Sequence, residues 1–306
     1  MKRPLILVFG ANPAWQKTLY FDEFRRGEVN RARALELYAG GKGVNFCRAA
    51  RCRETARTRL YQFSGGANGD LHEAALKREN IDCRAVRVSH ETRCCTTLLD
   101  RTGAAMTELI EPSHAVSAAE IDEMVRLFSD GLSEASGAAI TGSLPDGTDP
   151  LVYTRIAAAV AVRGLPLLVD AVYADMLDQV GDFILKVNLD ELKKLTGETS
   201  ALSALRAGSA RWPRGIFAIT DGAGTAYLAA GGSLWSYAIP KIRVESALGC
   251  GDTCSAVMLS EFLAGKSPVE AFACGLAAAS ANCLTPRAGE FDNAAAARLM
   301  PELSAL

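Results

Sequence analysis

The residues best suited to chemistry are a glycine turn and a carboxylate near the C-terminus, in Gly249-Cys-Gly-Asp252, which runs directly into an apolar stretch that predicts a helix. Glycines let backbone N–H groups converge at a helix N-terminus, where partial positive charge stabilises a phosphate or a developing negative charge. Asp252 is then either a helix cap or a base that accepts a proton from a hydroxyl. The amides of Gly249, Cys250 and Gly251, combined with this carboxylate, suit phosphoryl transfer.

A second glycine-rich segment, Gly40–Asn45, leads into a helix predicted around Phe46–Ala50. By itself it is a tight turn whose glycines supply unusual dihedral angles, and it decides nothing about function. Lys42 and Asn45 would nevertheless direct a cation and an amide toward the strand ends, where ligands bind in open α/β sheets.

A third segment, Asn188-Leu-Asp-Glu191, follows a predicted strand. Asn188 is a good helix cap, and Glu191 stands at the right spacing to continue that helix. The same two residues could instead help to hold Mg²⁺, which binds oxygen ligands through one or two carboxylates and waters. Both interpretations remain open.

Other familiar motifs are absent. Lys42 follows a glycine, but Glu36 and Gly43 break the Walker A spacing, and Cys254 stands where a dinucleotide fingerprint needs its third glycine. Three histidines and no G-x-S-x-G give little support to a hydrolase triad or a histidine metal site.

The chain of 306 residues carries a net charge of −2, which predicts no general attraction to nucleic acid or to an anionic membrane. The arginines between Arg48 and Arg59 predict a solvated helix-to-strand connection. Nine cysteines, an odd number with no C-x-x-C, favour reduced thiols and a cytoplasmic location. Leu5–Phe9 is too short for an export signal and predicts a first buried strand.

Short apolar runs alternate with helical patterns from about residue 40 onward, which is typical of β-α-β units and a parallel sheet. Helix starts are predicted at Ser117 with Glu120, at Asp149-Pro150 and at Ser267-Pro268. The core strands are predicted at Leu5–Phe9, Arg59–Phe63, Ala138–Thr141, Pro166–Asp170, Phe183–Val187 and Ile216–Thr220.

Two stretches, about 12–38 and 83–110, have strand-like segments without helical periodicity. The second contains the predicted turn Arg101-Thr102-Gly103 between two strands. Both predict one small antiparallel sheet that leaves a face uncovered, which suits a lid or a dimer surface. We therefore expect a single domain, 1–306, with an inserted lid.

The order of these elements resembles the ribokinase-like (PfkB-type) family of carbohydrate kinases, and within it the 1-phosphofructokinase and tagatose-6-phosphate kinase branch. The glycine–aspartate turn is diagnostic of that family, whereas the G-G-K-G-x-N and G-S-L-P elements narrow it to the phosphosugar branch. The matching segments are Asn12-Pro-Ala with Lys17-Thr18, Gly27–Arg31, Gly40–Asn45, Glu91-Thr-Arg93, Thr141–Pro145, Asn188-x-x-Glu191 and Gly249-x-Gly251-Asp252.

The resemblance implies a doubly wound, mostly parallel α/β sheet with a small β-sheet lid, ATP as donor, Mg²⁺, and often a homodimer joined through the lids. It makes Asp252 the base, and the Gly249–Asp252 amides an anion hole. Asn188 and Glu191 would lie near Mg²⁺ and the phosphates, and Thr220, Gly222 and Asn282 on the nucleotide side. The implied sugar-phosphate positions are Asn12, Gly41, Lys42, Asn45, Arg93 and Ser143.

Three departures from the family pattern stand out. Gln16 replaces an aspartate that reads sugar hydroxyls, Cys250 replaces an alanine between the glycines, and Val187 replaces a proline. Cys250 should matter least, because its backbone N–H is retained.

The leading hypothesis is a kinase for a ketohexose phosphate: fructose 1-phosphate, fructose 6-phosphate or tagatose 6-phosphate. One alternative is a kinase for an unphosphorylated sugar or nucleoside, against which Arg93 argues because it suits a substrate phosphate. The other is a non-catalytic sugar-phosphate sensor, which only Gln16 suggests.

Overall fold

The computed structural model describes residues 3–102 and 105–306, so Gly103 of the predicted turn lies outside the described residues. Within these ranges the strands are β1 (Leu5–Phe9), β2 (Ala14–Phe21), β3 (Ala34–Gly40), β4 (Arg57–Ser64), β5 (Asp82–Arg87), β6 (Cys94–Asp100), β7 (Ala105–Ile110), β8 (Gly137–Thr141), β9 (Leu167–Asp170), β10 (Phe183–Asn188), β11 (Gly215–Thr220), β12 (Thr225–Ala230), β13 (Ser233–Ala238) and β14 (Glu302–Ala305). All six predicted core strands form, with ends that differ by at most two residues.

The helices alternate with these strands along most of the chain. They are α1 (Lys42–Arg53), α2 (Gly66–Arg78), α3 (Ala118–Gly131), α4 (Leu151–Val162), α5 (Ala174–Leu177), α6 (Leu189–Thr196), α7 (Ala201–Arg211), α8 (Cys250–Leu263), α9 (Pro268–Asn282) and α10 (Asn293–Arg298), with a 3₁₀ turn at Leu132–Glu134.

The predicted helix starts are close to those observed. Ser117 and Glu120 form a reciprocal capping box at the start of α3, and Ser267 caps α9 with a proline in its first turn. Helix α4 begins at Leu151 rather than at Pro150, although the Asp149 carboxylate still accepts a hydrogen bond of 2.9 Å from the Leu151 N–H. Because the proline has no N–H, this is the first amide that the Asp149 carboxylate can reach.

A large sheet forms the centre of the molecule in the order β14-β13-β12-β11-β10-β9-β8-β1-β4-β5. Neighbouring strands from β5 to β11 pair in parallel, and β12, β13 and β14 continue the sheet in antiparallel fashion. The doubly wound, mostly parallel α/β prediction is therefore confirmed.

Both faces of the large sheet are covered, as the alternation of side chains along β1 shows. Leu5, Leu7 and Phe9 pack into a hydrophobic core with α3 to α7. Ile6 and Val8 point the other way, into a second core with α1, α2, α8, α9 and α10. A strand buried on both faces reads as a continuous apolar run, which is why the sequence marked these strands so clearly.

A second sheet, in the order β3-β2-β6-β7, comes from the two strand-rich stretches. It differs from the prediction in two ways. Strand β2 follows β1 of the large sheet and strand β6 follows β5, so the two strands enter the small sheet separately. They pair in parallel. The small sheet is therefore mixed rather than antiparallel. Strand β5, which lies inside the predicted stretch 83–110, instead pairs with β4 at the edge of the large sheet. We refer to β3-β2-β6-β7 as the small sheet.

The basic segment Arg48–Arg59, which begins inside α1, also departs from expectation at its first residue. Arg48 is not solvated: its side chain is fully buried within α1 and forms an ion pair with Glu79. Among the described residues, no helix is both long and apolar enough to cross a membrane.

Candidate active site

The predicted site residues converge because parallel strands bring their carboxyl ends to one edge of the sheet. Asp170 ends β9, Asn188 ends β10 and Thr220 ends β11 at this edge. The N-termini of α1 and α8 face the same edge, and the small sheet stands beside it. A cavity of about 400 Å³ opens there, lined by residues of both sheets and both helix starts, including Gln16, Tyr38, Gly41, Lys42, Asn45, Arg93, Glu108, Asp170, Lys186, Asn188, Glu191, Thr220, Gly249, Gly251 and Asp252.

The Gly249–Asp252 turn needs a glycine at its first position. Gly249 is the N-cap of α8 with φ of 75°, and a Cβ there would lie 2.7 Å from the Cβ of Ala288. A Cβ on Gly251 would lie 2.9 Å from the Nζ of Lys186. The backbone thus approaches its neighbour closely at Gly249, and Gly249, Gly251 and Asp252 line the cavity at the start of α8.

Asp252 is not the cap of α8, because Gly249 occupies that position. Its carboxylate is 5% exposed and accepts a hydrogen bond of 2.8 Å at Oδ2 from Nδ2 of Asn45. Burial raises the pKa of the Asp252 carboxyl to about 6; the Lys42 ammonium opposes this rise and the Asp170 carboxylate adds to it. A carboxylate with a pKa just below neutrality suits a general base.

Arg48 fixes the amide of Asn45. Its Nη1 donates to Oδ1 of Asn45 at 3.4 Å, so the Asn45 Nδ2 is turned toward Asp252. The guanidinium is itself anchored by Glu79, through Nε at 2.7 Å and Nη2 at 2.8 Å. The sequence gives no sign of this role, because a run of arginines normally predicts a solvated surface.

Asp170 and Lys186 are two further cavity residues that the sequence analysis did not single out. Nζ of Lys42 lies 3.1 Å from Oδ1 of Asp170, and Nζ of Lys186 lies 3.6 Å from its Oδ2. Burial alone would raise the pKa of Asp170, but Lys186 and Lys42 hold that pKa below its usual range. Two features of the sequence could have indicated these residues. Asp170 is a carboxylate at the end of a predicted strand, and Lys186 is a lysine inside an otherwise apolar strand.

On the side of the small sheet, Gln16, Gly41 and Arg93 line the cavity. Nε2 of Gln16 donates to Oγ1 of Thr97 at 2.8 Å, which leaves the Gln16 carbonyl to accept a hydrogen bond from a ligand. Gly41 has φ of 117°, and a Cβ there would lie 3.1 Å from the Cα of Pro13. The backbone therefore needs glycine at this position.

Asn12 and Ser143 are outside the cavity lining. Nδ2 of Asn12 donates to the carbonyl of Leu144 at 3.2 Å and to Oγ of Ser113 at 3.3 Å, so Asn12 joins the loops after β1 and β8. Ser143 is exposed in the second of these loops. Direct contact of either residue with a sugar phosphate stays a prediction.

On the other side of the cavity, Asn188 and Glu191 form a reciprocal capping box at the start of α6, with both hydrogen bonds 2.8 Å long. The capping interpretation is confirmed, yet both residues also line the cavity, and only one carboxylate oxygen of Glu191 is used by the cap. Thr220 lines the cavity as well, whereas Gly222 lies in the turn after β11, outside the lining.

Asn282 does not fit the predicted contact with a nucleotide. It is fully buried, accepts a hydrogen bond from Thr253 and donates to the carbonyls of Arg287 and Glu290. These bonds hold the loop that carries Ala288 against Gly249. Asn282 therefore supports the turn before Asp252 instead of lining the cavity, and Cys250 likewise contributes its backbone to the turn without lining the cavity.

Comparisons with known proteins agree with this geometry. The model of the pfkB family of carbohydrate kinases matches residues 6–294. The 1-phosphofructokinase of Bacillus subtilis (strain 168) is 26% identical over 295 residues, which cover 93% of this chain and 94% of that protein.

Two solved structures share the fold across nearly all of both chains. A Thermotoga maritima protein described as a possible 1-phosphofructokinase has a TM-score of 0.88 at 19% identity and covers 99% of each chain. Phosphofructokinase-2 of Escherichia coli, solved with fructose-6-phosphate, has a TM-score of 0.85 at 20% identity and covers 98% of each chain.

Proposed function

This chain belongs to the pfkB family of carbohydrate kinases, and from that premise we propose that it transfers a phosphoryl group from ATP to a hydroxyl of a ketohexose phosphate. The observation that carries the proposal is the environment of Asp252. A buried carboxylate, with its pKa raised to about 6 and one oxygen bound by Asn45, stands at the N-terminus of a helix beside two lysines. Phosphoryl transfer to an alcohol needs a base and an anion-stabilising site in this arrangement.

Asp252 is the proposed base. Asn45 holds Oδ2, which leaves Oδ1 to accept the proton of the acceptor hydroxyl. The acceptor oxygen then attacks the terminal phosphorus of ATP while the bond to the leaving oxygen breaks and ADP departs. Burial of Asp252 excludes water that would otherwise compete for the same proton.

The negative charge on the transferred group requires donors that are already in place. The amides of Gly249 and Gly251 at the start of α8 are suited to this role, because both residues line the cavity. The predicted third donor, the Cys250 N–H, instead donates to the carbonyl of Ala247 at 3.4 Å within the turn. Lys42 adds a cation on the same side. Its pairing with Asp170 sets the direction of the ammonium before any ligand binds.

Arg93 supports a phosphorylated acceptor. Its Nε is buried, and among the described residues it has no hydrogen-bond partner. Its Nη2 makes only a 3.5 Å contact with the carbonyl of Asn12. A phosphate that reached the guanidinium from the cavity would form a charge-assisted bond with it.

The donor set at Glu191 fits Mg²⁺, which prefers oxygen ligands and is commonly bound through one carboxylate, waters and substrate phosphates. Glu191 has one oxygen outside its capping bond, and Asn188 keeps it beside the cavity. No group of three or more potential metal-binding side chains occurs among residues 3–102 and 105–306, so the phosphates would supply most of the remaining ligands. When bound, the ion neutralises phosphate charge.

The small sheet is the proposed lid and homodimer surface. Leu35 and Leu37 on β3 and Leu109 on β7 are at least half exposed on this sheet. Burying such a patch between two copies is favourable by about 25 cal/mol per Å². Light scattering of the wild type and of Leu37→Asp tests this, with a shift to monomer expected in the variant.

A cytoplasmic location is also proposed, since all nine cysteines lie in the described ranges and are free.

A panel of acceptors tests the proposed function. ADP formation is measured with fructose 1-phosphate, fructose 6-phosphate, tagatose 6-phosphate and unphosphorylated fructose, at a fixed concentration of ATP and Mg²⁺. We expect turnover with at least one sugar phosphate and a far lower kcat/KM with fructose. A preference for the free sugar would reject the phosphosugar assignment, and binding without ADP formation would identify a sensor instead.

A further inference from the structure

Two thiols meet at the turn that precedes Asp252. The Sγ of Cys250, the first residue of α8, lies 2.9 Å from the Sγ of Cys283, which ends α9. The two residues are 33 positions apart in sequence, and both are partly exposed. Of the other cysteines, Cys47, Cys94, Cys95 and Cys254 are buried, whereas Cys52, Cys83 and Cys274 are partly exposed.

The contact favours thiolate chemistry. The hydrogen bond between the two thiols holds the pKa of Cys283 below its usual value. A thiolate is the nucleophilic form of cysteine, and partial exposure lets a small oxidant reach it. The second thiol already contacts the first, so it can attack the oxidised sulfur and form a disulfide.

We propose that Cys250 and Cys283 are a reversible oxidation site, at which a peroxide or a small-molecule disulfide converts the two thiols into one disulfide. With hydrogen peroxide, one thiol attacks an oxygen, the O–O bond breaks, and a sulfenic acid and water form. The second thiol then attacks the sulfenic sulfur, the S–S bond forms, and a second water leaves. The two electrons lost by the sulfurs reduce the peroxide, and a dithiol returns them by exchange.

Closing this bond must disturb the turn. The sulfurs have to approach from 2.9 Å to about 2.05 Å, the length of a disulfide. The turn has little room to follow at Gly249, because this residue packs against Ala288 and the backbone of Gly289. The amide of Gly251 and the carboxylate of Asp252, which follow Cys250 directly and line the cavity, therefore shift with the sulfur. Loss of activity on oxidation rests on the proposed kinase function, whereas formation of the disulfide does not.

The test uses the full chain, first reduced and then treated with hydrogen peroxide. Free thiols are alkylated, and peptides are mapped by mass spectrometry with and without reduction. We expect a cross-linked peptide pair containing Cys250 and Cys283, and a loss of ADP formation of about tenfold or more that dithiothreitol reverses, since displacing one anion-hole donor has effects of this size. Cys283→Ser should keep the activity of the reduced enzyme and lose the sensitivity to peroxide.

Cys274→Ser is the matched control, because Cys274 is another partly exposed cysteine on α9. It should behave as the wild type in both measurements. Absence of the cross-linked pair, or equal peroxide sensitivity in Cys283→Ser, would overturn the proposal. A cross-link without loss of activity would overturn its effect on the turn. A chain that forms the cross-link but phosphorylates no acceptor in the reduced state would refute the kinase function and leave the oxidation site standing.

Discussion

The amide Nδ2 of Asn45 lies 2.8 Å from Oδ2 of Asp252, and this bond joins the first turn of α1 to the first turn of α8. The two residues are 207 positions apart in sequence. The bond favours the ionised carboxylate and so opposes the effect of burial on the pKa of Asp252. The activity of this site should therefore depend on pH in a way that traces to these two residues.

We expect kcat/KM to rise with pH through about 6, because a base must be deprotonated to act and burial raises the pKa of Asp252 to about 6. The activity is low below that value, where the carboxyl is protonated, and reaches a plateau above it. A pH profile from 5 to 8, with ADP formation as the readout, checks this. A profile flat down to pH 5 would mean that no group with this raised pKa limits the reaction.

Arg48→Lys should move that profile to higher pH by a few tenths of a unit up to about one unit. Lysine keeps a cation for Glu79, but a single ammonium cannot also hold Oδ1 of Asn45, so the amide is free to turn away from Asp252. The loss of its donor raises the pKa of Asp252. The pH profile of kcat/KM distinguishes this from simple loss of stability, which lowers activity at every pH.

Arg53→Lys is the control for that variant. Arg53 is also on α1 and pairs with a carboxylate, that of Glu261 at 2.5 Å. It belongs to the last turn of the helix, about two turns beyond Asn45, and its replacement should leave the profile in place. Equal shifts in the two variants would point to a general effect of charge on α1.

Arg93→Ala should raise KM for a phosphorylated sugar with little change in kcat. A charge-assisted bond to a phosphate that is present in both ground and transition state contributes uniform binding. KM for ATP should stay the same. Steady-state kinetics with each substrate varied in turn checks this, with unphosphorylated fructose as the acceptor that should not respond. An unchanged KM for every sugar phosphate would remove Arg93 from the acceptor site.

Gln16→Asp should lower kcat/KM for the true acceptor several-fold. Gln16 lines the cavity with a neutral carbonyl while its Nε2 is bound to Thr97, whereas a shorter, charged side chain in this buried position loses that bond. The ratios of kcat/KM for fructose 1-phosphate, fructose 6-phosphate and tagatose 6-phosphate should change as well. Thr97→Val, which removes the partner of Nε2 alone, should shift the ratios less. Identical ratios in all three proteins would show that residue 16 does not read the sugar.

The sequence predicted the strands of the large sheet because each is a short apolar run buried on both faces. It also predicted the glycine turn with Asp252, since glycines and a carboxylate before an apolar helix form a local signal. Contacts between segments that are distant in the chain could not be predicted from the sequence. The partnership of Arg48 with Glu79, the parallel pairing of β2 with β6 and the burial of Asn282 depend on segments that meet only in the folded chain.

Turnover by Asp252→Asn tests the central claim most directly. Asparagine keeps the size of the side chain and the fold, which circular dichroism checks, but it cannot accept the proton of the acceptor hydroxyl. We predict that kcat for the best sugar phosphate falls by about 10² to 10⁴, the usual effect of losing a positioned base, while the affinity for ATP changes far less. Turnover close to that of the wild type would contradict the assignment of Asp252 as the catalytic base.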